Sequence, residues 1–448
     1  MTARLDDLRT SIHDGLSTIR GELAALVAIR SIADPRQAPP EECRRAAEWV
    51  RDAFQSAGVG QIELIDTSDG STAVVGHQPG PTGTPTVLLY SHYDVQPAGD
   101  ESLWASPPFE LSERDGRWYG RGAADCKGNI AMHLLALRAL GEFPVGVRVV
   151  SEGSEEMGGG GLEDLVRQRP ELFEADVILI ADTGNSAIGT PTVTTSLRGI
   201  ANLVVHLETM TGEIHSGMYG GPAPDALAAM VQLLSTLRNE DGDTAVDGLD
   251  SHQIWDGVDY PEAQFRADAG VLDGVDLVGA GSVADRVWAR PAATVLGIDC
   301  PPVVGSAAAI QPRASARINL RVPPGMDPQA ALDALSAHLK SHAPWGARVT
   351  VEPEAIGAPF SARTSGPAYA TLGGAMEAAY GKQMVTAGQG GSIPLCNVLA
   401  DQFPEAEIAL IGVEEPTCRI HAPNESVDPG EIENLAVAEA LFLEQLGA

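Results

Sequence analysis

Two histidines and a scatter of carboxylates are the residues of this sequence whose types and spacing could do chemistry. The segment Tyr90-Ser91-His92-Tyr93-Asp94-Val95-Gln96-Pro97 sets His92 and Asp94 two apart, so an extended chain carries them on one face. A ligating histidine needs an acceptor on its other ring nitrogen, and a nearby carboxylate can serve. Asp125 lies in a glycine-rich turn, Gly120-Arg121-Gly122-Ala123-Ala124-Asp125-Cys126-Lys127-Gly128, where backbone can approach a ligand closely. Glu155 and Glu156 are adjacent in Glu152-Gly153-Ser154-Glu155-Glu156-Met157-Gly158. Burying both requires a compensating charge; beside a metal, one can ligate while the other moves protons. Asp182 ends an apolar run, and His421-Ala422-Pro423-Asn424-Glu425 follows another. Each has an ordinary reading alone: a surface pair, a helix N-cap, a solvated acidic loop, turn residues.

As a set they suit a hard-to-borderline divalent cation, because two imidazoles and several carboxylates supply the donors without any thiolate. Charge favours two ions. Asp125, Glu156 and Asp182 bring three negative charges against four positive ones, which leaves one for a hydroxide.

The elements that must position these residues read as α/β. Leu5, Leu8, Ile12, Leu16, Ile19 and Leu23 recur at helical spacing, which predicts one helix over 2–33. Pro39-Pro40 opens a second, to about Ala57. Apolar runs at 86–90, 145–151 and 177–181 read as buried strands, with helices at 128–140 and 162–168 between them. That alternation predicts a largely parallel sheet, and ligand sites in such sheets gather at the carboxyl ends of strands. The character changes near Thr192. Residues 193–208, 314–322 and 348–352 read as strands, 222–238 and 327–341 as helices, and 240–292 as a weakly periodic stretch rich in Asp and Gly. A small α+β domain inserted in the larger one fits this order. The α/β pattern resumes with a helix at 368–380, a strand at 407–413 and a closing helix at 429–446. The expected division is 1–194 and 357–448 for the catalytic domain and 195–356 for the insert.

Composition narrows the partners. The 448 residues carry a net charge of −32, with lysine only at Lys127, Lys340 and Lys382. Such a surface repels phosphates and anionic lipid heads, so neither nucleic acid nor membrane is expected as a partner. The five cysteines are scattered, without a C-x-x-C pair, which argues against a disulfide framework or a thiolate zinc site. The charged, amphipathic start has no apolar signal-peptide core. A cytoplasmic protein is the expectation.

Four ordered motifs, S-H-Y-D-V-Q-P, G-R-G-A-A-D-x-K-G, E-G-S-E-E-M-G and H-A-P-N-E, resemble those of the aminoacylase-type (M20) metallopeptidases over nearly the whole chain. The D-V-Q-P ending is similar to the carnosinase-like dipeptidases rather than the desuccinylases. The resemblance implies a zinc-peptidase-like catalytic domain with a mostly parallel central sheet, an inserted α+β lid and dimerisation domain, and hydrolysis of dipeptides. The alternative is an N-acyl-amino-acid amidohydrolase of the same family. It implies two divalent ions, zinc first, manganese or cobalt otherwise. His92 and Asp182 would ligate one, Glu156 and His421 the other, and Asp125 would bridge them. Glu155 would be the general base and Asp94 the residue that orients His92. Thr211-Gly212-Glu213-Ile214-His215-Ser216-Gly217 resembles the family loop whose histidine reaches the partner subunit's active site and steadies the substrate carbonyl. Arg321 resembles the arginine that grips the substrate carboxylate, and Gly391 and Ser392 belong to a loop similar to the one that binds the same end. A small peptide substrate and a homodimer through the lid follow. Two positions depart from the pattern. Cys126 stands where the family usually has Asp, after a peptide bond often cis in relatives, and Gln389 stands where many relatives have Glu.

Overall fold

The computed structural model describes residues 2–158 and 160–448, so Gly159 of the acidic loop lies outside the described residues. The chain divides into two compact units. The first comprises 1–195, 362–387 and 395–448, and the second 196–361 and 388–394.

The first unit is built on a mixed sheet. Strand Thr86–His92 pairs in parallel with Gly146–Glu152 on one side and Val177–Ala181 on the other, and Val177–Ala181 pairs in parallel with Glu407–Ile411. These strands are almost entirely buried, as continuous Val, Leu and Ile runs require. The flanks run the other way. Glu63–Asp66 and Thr72–Gln78 pair antiparallel, as do Thr72–Gln78 with Gly146–Glu152 and Glu407–Ile411 with Thr192–Leu197. The largely parallel sheet expected from the strand-helix alternation is therefore parallel only at its centre. The physical reason is visible at the first flank: Thr67 to Ser71 is a tight turn closed by a 3.0 Å bond from Thr67 N to Ser71 O, and so short a connection can join only antiparallel strands.

Helices Thr2–Val27, Lys127–Leu140, Pro367–Tyr380 and Pro429–Leu446 pack together. The first lays Leu8, Ile12, Ile19 and Leu23 into the core, which is the stripe its spacing announces. It stops at Val27 rather than continuing to residue 33. The buried Lys127 ammonium donates to Leu26 O at 3.0 Å and Ile29 O at 2.8 Å, which satisfies carbonyls that a helix end leaves open. Beyond it, Ser31 Oγ donates to Tyr93 O and Val95 N to Ser31 O, tying the segment to the His92 loop.

The second unit is an antiparallel sheet in the order Ala292–Asp299, Arg313–Val322, Gly199–Glu208, Arg348–Gly357. Helices Ala226–Ser235 and Pro328–Ser341 cover it, and Leu203, Val205, Met230, Leu233, Ile318, Leu335 and Leu339 form its core. The helix expected over 222–238 is shorter, because Asp225 caps it by accepting from Leu227 N. Residues 388–394, with Gly391 and Ser392, belong to this unit and not to the first.

Candidate metal centre

The parallel strands of the first unit end on one side of the sheet. Their registers set His92 opposite Glu152 and Ala181 opposite Ile411. The residues just past those ends are Asp94, Glu155 and Glu156, Asp182, and the segment leading to His421. Asp125 comes from the turn that opens helix Lys127–Leu140, and the Asp125–Cys126 peptide bond is cis. Five strand and helix ends thus deliver one cluster.

Its geometry has two halves that share Asp125. His92 Nε2 lies 3.0 Å from Asp125 Oδ1 and 3.2 Å from Asp182 Oδ1. His421 Nε2 lies 2.9 Å from Asp125 Oδ2 and 3.1 Å from Glu156 Oε2. His92 Nδ1 donates to Asp94 O at 3.1 Å, with Asp94 Oδ1 3.3 Å away. That contact fixes the tautomer and leaves the Nε2 lone pair free to act as a donor. His421 adopts a left-handed φ of 61°, uncommon for such a residue.

The charges call for cations at two points. Burial works to raise Asp125, but hydrogen bonds from His421 and His92 outweigh it and hold the carboxyl well below its usual range. The same bonds, to Asp125 and then Glu156, lift His421 to about 10. Burial pushes Asp182 up to about 6 against the pull of His92. Burial, followed by the charge of Asp182, pushes Glu155 well above the ordinary carboxylate range. Nitrogen and oxygen donors grouped this way fit two divalent ions, with Asp182 and Asp125 about His92 on one side and His421, Glu156 and Asp125 on the other. The Cys126 thiol also lies within reach of His92 and Asp182, but it donates to Ala181 O, and burial holds it protonated by raising its pKa to about 12.

Several supporting residues were not singled out by sequence reasoning. Gln96 donates to Glu156 Oε2 from its side chain at 2.9 Å and to Oε1 from its backbone at 3.2 Å. Glu425 Oε1 accepts from the backbone N–H groups of Ala124 and Asp125, and its Oε2 meets Arg121 Nη1 at 2.5 Å. Gln96 and Glu425 stand inside quoted motifs, which was the available signal. Glu414, within reach of Asp125 and Asp182, gave none.

The remaining expected residues belong to the second unit. His215 is exposed, on strand Ile214–His215, and its Nδ1 accepts from Gly217 N at 3.1 Å. Arg321 is half-buried on strand Arg313–Val322, and burial lowers its pKa. Arg198, a residue without a sequence signal, has Nε and Nη1 buried without partners. Burial and then the charge of Arg321 lower it to about 10, and its Nη2 would lie 2.8 Å from a Cβ placed at Gly390. Among the described residues no helix is long and apolar enough to cross a membrane.

Known proteins bear on this geometry in three ways. The model of peptidase family M20/M25/M40 matches residues 88–445. A cysteinylglycine-S-conjugate dipeptidase of Corynebacterium striatum is 46% identical over 405 residues, covering 89% of each chain. In fold, the chain is similar to human carnosine dipeptidase 1 (TM-score 0.81, 22% identity, 99% of both chains). It is equally similar to the di-peptidase Dug1p of Saccharomyces cerevisiae (TM-score 0.82, 20% identity, 100% of this chain and 99% of that one). The chain belongs to peptidase family M20/M25/M40 and is a metal-dependent peptidase.

Proposed function

We propose that the protein cleaves the amide bond of dipeptides at two divalent ions, and that cysteinylglycine-type dipeptides are its first candidates as substrates. The observation that carries the reading is the division of Asp125, one oxygen turned to His92 and the other to His421. A carboxylate so placed is suited to join two ions. The 46% identical relative, a dipeptidase of cysteinylglycine S-conjugates, supports the substrate class.

His92 and Asp182 would hold one ion, Glu156 and His421 the other, with Asp125 between. Zinc is the first choice for these donors, and manganese or cobalt suits them too. Two bound ions supply positive charge that acidifies a water and stabilises a developing oxyanion. Glu155 is the general base. It lies in the field of Asp182, His92, Asp94 and Asp125, belongs to neither ligand group, and its raised pKa suits it to take a proton and hand it to the leaving amine. Asp94 orients His92, and its Oδ2 accepts from Glu156 N at 3.0 Å, so it steadies both halves. Arg321, whose fork matches a carboxylate, grips the substrate's free end beside Gly391 and Ser392. His215 steadies the carbonyl oxygen of a substrate in the partner subunit's site.

The second unit acts as lid and dimerisation domain in this reading. Its edge strand Ala292–Asp299 exposes Val295, Leu296 and Ile298, and Val303 and Val304 are 94% and 90% exposed, an apolar surface of the kind that marks an interface. All five cysteines are free thiols, which supports a reducing, cytoplasmic setting. Glu155→Gln tests the reading. The variant should keep two ions per chain and lose about 10²–10⁴-fold in kcat on cysteinylglycine; undiminished turnover would remove Glu155 from its role.

A further inference from the structure

We infer that Glu414 is an additional metal ligand, which gives the ion between Asp125 and Asp182 a third carboxylate; this rests on the two-ion reading above. One carboxylate oxygen each of Asp125, Asp182 and Glu414 lies within 4.8 Å of the others. Oxygens that share one ion fall within such a span. Glu414 is 7% exposed. Its Oε1 accepts from Asn129 Nδ2 at 2.7 Å, and its Oε2 is buried without any hydrogen-bond partner.

The neighbouring buried acids are treated differently. Glu415 is paired with Arg117, and Glu425 with Arg121. Among the described residues no cation pairs with Glu414. A buried carboxylate without a counter-charge is costly, and the feature beside it that calls for positive charge is the Asp125–Asp182 group.

The backbone holds Glu414 in place closely. Asn185 N donates to Glu414 O at 2.8 Å. A Cβ at Gly184 would fall 2.1 Å from that same oxygen, and one at Gly412 would fall 1.8 Å from Thr183 O. Both positions admit only glycine, and the segment bearing Glu414 is thereby pressed against the end of the Asp182 strand.

The test is Zn2+ binding to chelator-treated protein, followed by calorimetry and by metal content after gel filtration, for wild type and Glu414→Gln. Wild type should bind two ions. The variant should bind one with unchanged affinity and the other more than about 100-fold more weakly, beyond the roughly 10–100-fold loss that removing a residue merely hydrogen-bonded to a ligand would give, while the metal-free variant melts no lower than metal-free wild type. Two ions bound by the variant at wild-type affinities would overturn the proposal and leave the two-ion reading standing. Fewer than two ions bound by wild type would overturn that reading itself. Should the variant fail to fold, the structure of zinc-loaded wild type decides. A Glu414 oxygen about 2.0–2.2 Å from zinc supports the assignment, and one beyond hydrogen-bonding distance contradicts it.

Discussion

At the scale of single residues, the cluster shows how burial and charge assign different tasks to chemically identical groups. Glu155 and Glu156 are neighbours, yet Glu156 meets His421 and is held by Gln96, while Glu155 has no such partner among the described residues, and burial and then Asp182 raise its pKa. Glu152, opposite His92 across the sheet, offers a test of the same physics in a group outside the proposed ligand set. Its carboxylate accepts from Tyr90 Oη at 2.5 Å, and burial, reinforced by Glu163 and Asp94, pushes it up to about 8 from 4.5. A carboxyl group raised on folding binds more protons folded than unfolded. Its contribution is full below about 4.5 and is lost as pH rises to about 8, at up to ~1.4 kcal/mol per pH unit. Denaturant unfolding of the metal-free protein at pH 5 and pH 8 should show a smaller difference in Glu152→Gln than in wild type. An equal difference would mean that Glu152 titrates normally.

At the scale of elements, what the sequence made legible followed from periodicity, and what it hid followed from long-range contacts. The buried strand at 177–181 was readable because five consecutive apolar residues suit a strand covered on both faces. His92, Asp125, Asp182 and His421 could each be placed at an element's end, so their convergence could be expected from the topology of strands. The end of the first helix could not, because it is set by Lys127, a hundred residues away. The direction of the flanking strands was equally hidden, since apolar alternation does not distinguish parallel from antiparallel pairing. Glu414 and Arg198 were silent for a further reason. What sets them apart is an unmet hydrogen bond or a missing counter-ion, a property of surroundings that no local pattern carries.

At the scale of the whole molecule, the two-ion reading rests on residues of the first unit, and the roles proposed for His215 and Arg321 rest on the second. The central His92, Asp125 and His421 groups all come from the first unit, whereas His215 and Arg321 come from the second. If His215 serves the partner's site, His215→Ala should lower kcat about 10²–10³-fold. Mixing that variant with Glu155→Gln should then restore activity, because one site in the mixed dimer has both groups intact. Absence of recovery in dimers shown to have exchanged would place His215 outside the partner's chemistry.

The most direct test of the central claim is amino-acid release from a panel of dipeptides, tripeptides and N-acyl amino acids, by protein stripped with a chelator and then reloaded with Zn2+, Mn2+ or Co2+. The account requires silence from the stripped protein and cleavage of dipeptides once two ions per chain are restored. Dipeptide cleavage by fully stripped protein would contradict the metal mechanism, and cleavage of N-acyl amino acids alone would contradict the dipeptidase reading.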